Sequence, residues 1–338
     1  MSSFRRILFV DVMGGLGDVV LALPAVHALA LSHPEAAVHV LTLEPWHVLL
    51  EGDPLIDEVI PLAGRGSEDV QGAAREALAR IRPDLSITTN RRHGLPELLE
   101  AAGGVAVTNL WRSPPPDQRV DERYLELLAR DGIIEPHFVG QPPRVAVTPE
   151  ELKAAGELLA ALNPAGRRPV FLVPDSGMAV KRWPQQHWAR LTSMLLRSGQ
   201  TPVLVAEEPE SWPALSDAGA VRTPRLSLRQ LAALYAAAAE REGVCVGGDT
   251  GPVRLATAAG MHAVGLYGPT VAARYGLHPE LGVNLQGLPG CPERHPANFT
   301  EQVCWWDAQC PFADGGEPGG PACMSHIAPE EVAAALGI

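Results

Sequence analysis

Lysine, aromatic residues and long apolar runs are all scarce in this chain. Lys153 and Lys181 are the only lysines among 27 basic residues, and aromatics make up 5% of the 338 positions. Acidic residues number 39, giving a net charge of −12, the wrong sign for a protein whose main partner is nucleic acid. The longest uncharged stretch near the start, 19–34, has 16 residues and contains Pro24, His27 and His33, short of the ~20 apolar residues that span a bilayer. Arg5 and Arg6 precede an apolar run that Asp11 ends after four residues, too short for the core of a signal peptide. These absences predict a cytoplasmic protein with no transmembrane segment and no nucleic-acid partner. What is present is a folding composition, 46% hydrophobic and 20% charged, in a chain long enough for two domains.

The order of elements is that of an α/β protein. A continuous apolar run at 7–12 predicts a strand buried on both faces, followed by a glycine turn at 13–17 and a helix over 18–31. Strands at 38–43, 57–61, 85–88 and 105–107 alternate with helices at 68–82 and 96–102. Four prolines interrupt 134–149, which marks a linker, and the alternation then restarts. In the second half, helices at 149–162, 184–197 and 228–239 alternate with strands at 170–173, 202–205 and 244–246. Two Rossmann-like doubly wound domains, 1–145 and 146–338, facing each other across a cleft, are the expected architecture. Residues 286–325 stand apart as a Gly-, Pro- and Cys-rich segment, and a helix at 329–336 ends the chain.

The most informative stretch is 247–270, a strand end, an Asp-Thr-Gly-Pro turn, a small-residue helix, a second strand and a Gly-Pro-Thr turn. Gly251 permits close approach, Pro252 suits a first helical turn, and the free N–H groups there face an anion. Asp249 adds a carboxylate, whose natural partners are hydroxyls such as those of a sugar. Phosphate and sugar together point to a nucleotide-sugar site.

Other candidates stand where loops leave strands. The first turn, Gly14-Gly15-Leu16-Gly17-Asp18, lacks the third glycine of a dinucleotide fingerprint and puts Asp18 at the helix N-terminus, where the dipole keeps it ionised. Such a carboxylate serves either as a general base or as a helix cap. Lys181, within Lys-Arg-Trp-Pro, offers a compact charge to a phosphate oxygen. Arg91, Arg92 and His93 follow a strand end and suit either an anionic acceptor or a solvated loop. Cys245 lies in an apolar strand and reads as a core residue. The other four cysteines, Cys291, Cys304, Cys310 and Cys323, are spaced by twelve, five and twelve residues. They are compatible with a structural zinc or iron, with free thiols or with disulfides. Pro292, Pro311 and Pro318 restrict the loops between them.

Taken together, Gly-Leu-Gly-Asp at 15–18, Leu-Pro-Ala at 23–25, Lys-Arg-Trp-Pro at 181–184, Asp-Thr-Gly-Pro at 249–252 and Gly-Pro-Thr at 268–270 resemble glycosyltransferase family 9, the group containing lipopolysaccharide heptosyltransferases. The resemblance implies a GT-B fold, an ADP-heptose donor, inversion at the anomeric carbon and no catalytic metal. It implies a glycan, lipid-linked or protein acceptor, with peripheral contact at the inner membrane. By position it assigns Asp18 as the base, Lys181 to the donor phosphates, Asp249, Thr250 and Gly251 to the donor, and Glu207 to the ribose or base, with Arg254 a further donor-binding candidate. Two positions depart from the family pattern. Arg254 stands where His is common, and Asp175 occupies a turn that usually carries glycine, where it needs a partner such as Arg182 or Arg254. The alternatives to a transferase are a nucleotide-sugar epimerase or hydrolase on the same fold, which forms product without an acceptor, and a non-catalytic binding module.

Overall fold

The structure, a computed structural model, describes residues 4–110, 112, 114–296, 298–312 and 321–338. The chain divides into two compact units, Met1–Ala146 and Val147–Ile338.

The first unit runs β1 (Arg6–Asp11), α1 (Leu16–Ser32), β2 (Ala37–Leu43), β3 (Glu58–Leu62), α2 (Ser67–Ile81), β4 (Leu85–Thr88), α3 (Leu95–Ala101), β5 (Val105–Val107) and α4 (Val120–Arg130). All pairings are parallel, in the order β3-β2-β1-β4-β5. Unbroken apolar runs explain this sheet: Ile7 to Val10 are wholly buried because helices cover both faces. One face packs Leu8, Val10 and Leu41 against Val70, Ala74 and Leu78 of α2. Helix α1 is buried nearly all round, since α4 covers the side turned away from the sheet. Helix α4 has no counterpart in the sequence reading. Its segment is rich in charge, and only docking on α1 makes Tyr124, Leu125 and Leu128 a buried stripe.

The second unit runs α5 (Pro149–Leu162), β6 (Pro169–Val173), α6 (Gln185–Arg197), β7 (Thr201–Leu204), α7 (Pro213–Asp217), β8 (Val221–Arg222), α8 (Leu228–Ala239), β9 (Val244–Gly248), α9 (Gly251–Ala258), β10 (His262–Tyr267), α10 (Ala272–Tyr275), β11 (Gly282–Gln286), α11 (Ala322–Ser325) and α12 (Pro329–Ala335). Its six parallel strands lie in the order β11-β10-β9-β6-β7-β8. Thr148 starts α5 with a reciprocal cap: the Glu151 amide donates to Thr148 Oγ1 (3.2 Å) and the Thr148 amide to Glu151 Oε2 (2.9 Å). Trp183, Trp188, Leu191 and Val246 form the core with Met324 of α11, Val332 of α12 and Ile327 between them. The short β8 and the edge strand β11 were not anticipated, because a two-residue pairing and a half-exposed Gly-Val-Asn-Leu-Gln run carry little periodicity.

Counted from its first strand, each sheet reverses direction at one point, between β1 and β4 in the first unit and between β6 and β9 in the second. Crevices at the carboxyl ends of such strands are where open α/β sheets bind ligands. Asp11–Asp18 lies at the first such point, and 174–182 with 249–254 at the second.

Candidate active site

In the second unit, the close approach of β6 and β9 builds the site. A Cβ added to Gly247 would lie 2.8 Å from the Val173 carbonyl oxygen, and one on Gly248 would lie 3.1 Å from that of Lys181. The two glycines therefore let the end of β9 press against the turn that carries Lys181. That turn is held from behind by Trp183, fully buried, which donates from Nε1 to the Ile327 carbonyl (2.9 Å) and packs edge-on against Trp188.

Asp249 is the centre. Lys181 Nζ donates to its Oδ2 (2.8 Å) and to its carbonyl (3.3 Å), and Arg254, one turn into α9, donates to its Oδ1 (2.7 Å). Burial by itself would raise the Asp249 carboxyl, but the charges and hydrogen bonds of Lys181 and Arg254 outweigh it and hold the group well below the usual carboxylate range. One carboxylate between two cations leaves the triad with a net charge of +1. Arg254 also reaches the Tyr275 carbonyl, which ties α9 to α10. Nearby, the hydroxyls of Thr250 and Thr270, at the ends of β9 and β10, are buried with no hydrogen-bond partner among the described residues. Such groups are costly unless a ligand or water completes them.

Asp175 does have partners, but among the described residues they are neither Arg182 nor Arg254. Its Oδ2 accepts from the Glu207 amide (2.9 Å) and its Oδ1 from Trp212 Nε1 (2.6 Å), while Arg182 donates to the Ser176 carbonyl (3.2 Å). The carboxylate at this turn thus holds the 207–212 loop, leaving the Glu207 side chain exposed.

The Cys-rich segment folds onto this site. Arg294 donates to the Gly268 and Gly287 carbonyls (2.9 and 2.7 Å), and Gln302 to the Pro269 carbonyl (3.0 Å). Trp305 packs on Val180 beside Cys304, and its ring lies 5.3 Å from Lys181 Nζ. Of the readings open for the four cysteines, the structural zinc is not supported. Among the described residues, which include all four cysteines, no group of three or more His, Cys, Asp or Glu side chains is placed to hold a metal ion. Cys291, Cys304, Cys310 and Cys323 are free thiols. Burial, with the neighbouring thiols adding to it, raises Cys304 and pushes Cys323 up to about 12 against the pull of Arg294. Positions 297 and 313–320, Pro318 included, lie outside the described residues.

In the first unit, Asp18 is exposed and its Oδ2 accepts from the Gly15 amide (2.8 Å). Gly14 has φ +79°, and a Cβ there would stand 1.9 Å from that oxygen, so the turn requires glycine for backbone and space alike. Arg65 donates to the Gly14 carbonyl (2.9 Å). Arg91 and Arg92 are exposed beyond β4, and His93 Nδ1 lies 2.9 Å from Ser67 Oγ. The sequence reading placed Thr270 in its Gly-Pro-Thr motif without giving the hydroxyl a role, and it passed over Asp11 as a site residue. No helix among the described residues is long and apolar enough to cross a membrane.

Two doubly wound parallel-sheet units, each with its polar residues at the switch point, define the GT-B class of glycosyltransferase fold. Residues 87–300, more than half of the chain, match the model of glycosyltransferase family 9 (heptosyltransferase), and the chain belongs to that family. It is a glycosyltransferase of the heptosyltransferase family. Among solved structures it is similar to the glycosyl transferase family 9 protein from Veillonella parvula DSM 2008, with 19% identity over 100% of this chain and 97% of that one and a TM-score of 0.79. It is similar to E. coli ADP-heptose lps heptosyltransferase II, with 20% identity over 98% of each chain and a TM-score of 0.70. E. coli heptosyltransferase WaaC with ADP-2-deoxy-2-fluoro heptose follows, with 19% identity over 98% of this chain and 99% of that one and a TM-score of 0.64. None of the curated proteins matches this chain.

Proposed function

We propose that the protein transfers heptose from ADP-heptose to a hydroxyl of a lipopolysaccharide-type glycan, with inversion. The observation that carries this reading is the cationic Lys181–Asp249–Arg254 triad at the second unit's switch point, with the buried hydroxyls of Thr250 and Thr270, which have no hydrogen-bond partner among the described residues. A net positive triad at a helix N-terminus suits a diphosphate. In the reaction the acceptor O–H gives its proton to an Asp18 carboxylate oxygen, and the acceptor oxygen bonds to the anomeric carbon. The bond from that carbon to the donor's phosphate oxygen breaks, and its electron pair leaves on the diphosphate. Lys181 and the backbone N–H groups at Thr250 and Gly251 oppose that growing charge. Arg254 keeps Asp249 ionised and in place, while Glu207 lies on the loop that meets the nucleoside. The first unit, with Asp18 and the Arg91–His93 loop, holds the acceptor. The chain's own polar groups supply every role in this scheme.

The test is Asp18→Asn, assayed for ADP-heptose affinity by calorimetry and for transfer to a truncated lipopolysaccharide acceptor. Affinity should persist while transfer falls by roughly 10²–10⁴, because the amide cannot take the proton. Parallel loss of both would reduce Asp18 to the capping role its bond to Gly15 already gives it. Product formed equally fast without any acceptor would make the enzyme a hydrolase.

A further inference from the structure

The carboxyl end of the first sheet carries a polar rung that the transfer scheme does not use. Asp11, the last residue of β1, pairs in register with Thr42 of β2, and Thr89 follows directly on β4. Asp11 is 4% exposed. Thr89 Oγ1 donates to its Oδ1 (2.8 Å), while Oδ2 is buried with no hydrogen-bond partner among the described residues. Thr42 Oγ1 is buried in the same condition, and a cavity of about 10 Å³, the size of one water, is lined by both residues together with Val19, Leu23 and Val26 of α1.

The charged neighbour is Asp18. Burial first, and the Asp18 charge second, push the Asp11 carboxyl up to about 7, against the Thr89 hydrogen bond. From β2 the facing group is Thr42 and from β4 Thr89, both neutral; from α1 it is Asp18, and Arg65, ahead of α2, reaches the Gly14 carbonyl of the turn between the two carboxyls. Asp18 is exposed and hydrogen-bonded by an amide, so the first negative charge resides there and the proton resides on Asp11.

We propose that Asp11 is a positioning residue that sets the basicity of Asp18, the two forming a coupled carboxyl pair beneath the acceptor-binding turn. This rests on reading Asp18 as the base. When Asp11 gives its proton to solvent, a second negative charge appears behind Asp18, and Asp18 holds the acceptor's proton more tightly. Turnover therefore gains from the ionisation of a residue that never touches substrate.

The direct measurement is ¹³C NMR titration of carboxyl-labelled aspartate between pH 5 and 9. The wild type should show one carboxyl with a midpoint near 7, absent in Asp11→Asn and moved to lower pH in Asp18→Asn. Thr89→Val should move it up, which checks the assignment should the Asp11 variant fold poorly. In transfer to the truncated acceptor from ADP-heptose, the ratio of wild-type to Asp11→Asn turnover should rise roughly threefold between pH 6 and 8.5. A midpoint below 5 in the wild type, or one indifferent to Asp18→Asn together with a flat ratio, overturns the proposal. If Asp18→Asn retains full transfer while the titration shifts as stated, the carboxyl pair stands and the base assignment is what fails.

Discussion

Asp249 shows how one side chain can join stability to chemistry. It is a buried carboxylate that remains ionised because Lys181 and Arg254 both donate to it, and each cation is largely buried in turn. Removing the negative partner leaves two cations together out of water, a change that typically costs about 3–5 kcal/mol. Asp249→Asn should therefore lower the second unit's denaturant midpoint markedly, a loss that tryptophan fluorescence would read. The sign with pH follows from the direction of the shift. A carboxyl held below its unfolded value of ~3.9 contributes fully above that pH and loses its contribution as the pH falls through the folded value. The wild type should accordingly lose stability on acidification below about pH 4, and Asp249→Asn should show a shallower acid limb. Lys181→Ala tests the chemistry separately: turnover should fall by about 10²–10³ with the fold intact, because an electrostatic partner of the leaving group is gone.

At the scale of elements, the Cys-rich segment is a brace. Its grip comes from Arg294 and Gln302, whose donors satisfy carbonyls at the ends of β10 and β11, and from the approach of Gly268, where a Cβ would stand 2.4 Å from Met324 Sδ and 2.9 Å from Cys323 Sγ. Trp305 carries that brace to the site by packing on the Lys181 turn. Trp306, its neighbour, is 73% exposed. Trp305→Ala should weaken ADP binding by roughly tenfold through loss of packing and of the contact with the ammonium, worth about 1–2 kcal/mol. Trp306→Ala should change binding by less than about twofold, as surface substitutions do. Isothermal titration of both variants with ADP checks the contrast, and equal effects would detach the segment from the site.

For the whole molecule, the division of labour is between two units that each have their own sheet and core. A ligand held by the second unit stabilises that unit by an amount set by its concentration over Kd, about 2.7 kcal/mol at a hundredfold excess. Thermal melts with ADP should raise the transition reported by Trp183 and Trp188, which lie in the second unit's core. The same nucleotide should leave the Lys181→Ala melt nearly unmoved. An ADP shift that survives this substitution would place the nucleotide elsewhere.

The sequence by itself determined the alternation of elements and the positions of the functional turns. Parallel strands buried on both faces must be continuously apolar, so β1, β4, β6 and β9 were legible, as were the glycine turns that end them. Membership of the family was also legible, since its motifs lie in those turns. Local pattern cannot show which side chains meet, and there tertiary structure decided. Asp175 faced the Glu207 amide and Trp212 in place of an arginine, because β7 lies next to β6. Helix α4 formed from a charged segment because α1 offered it an apolar surface. The four cysteines had a spacing open to several outcomes, and only the fold brings Cys323 within electrostatic reach of Cys291, Cys304 and Cys310. Asp11 ended an apolar run like any strand terminus, and only its burial, with the charge of Asp18, pushes its carboxyl up against the Thr89 hydrogen bond. The physical reason is common to all four: charge, burial and partnership are properties of neighbours in space, and those neighbours can lie more than a hundred residues away in the chain.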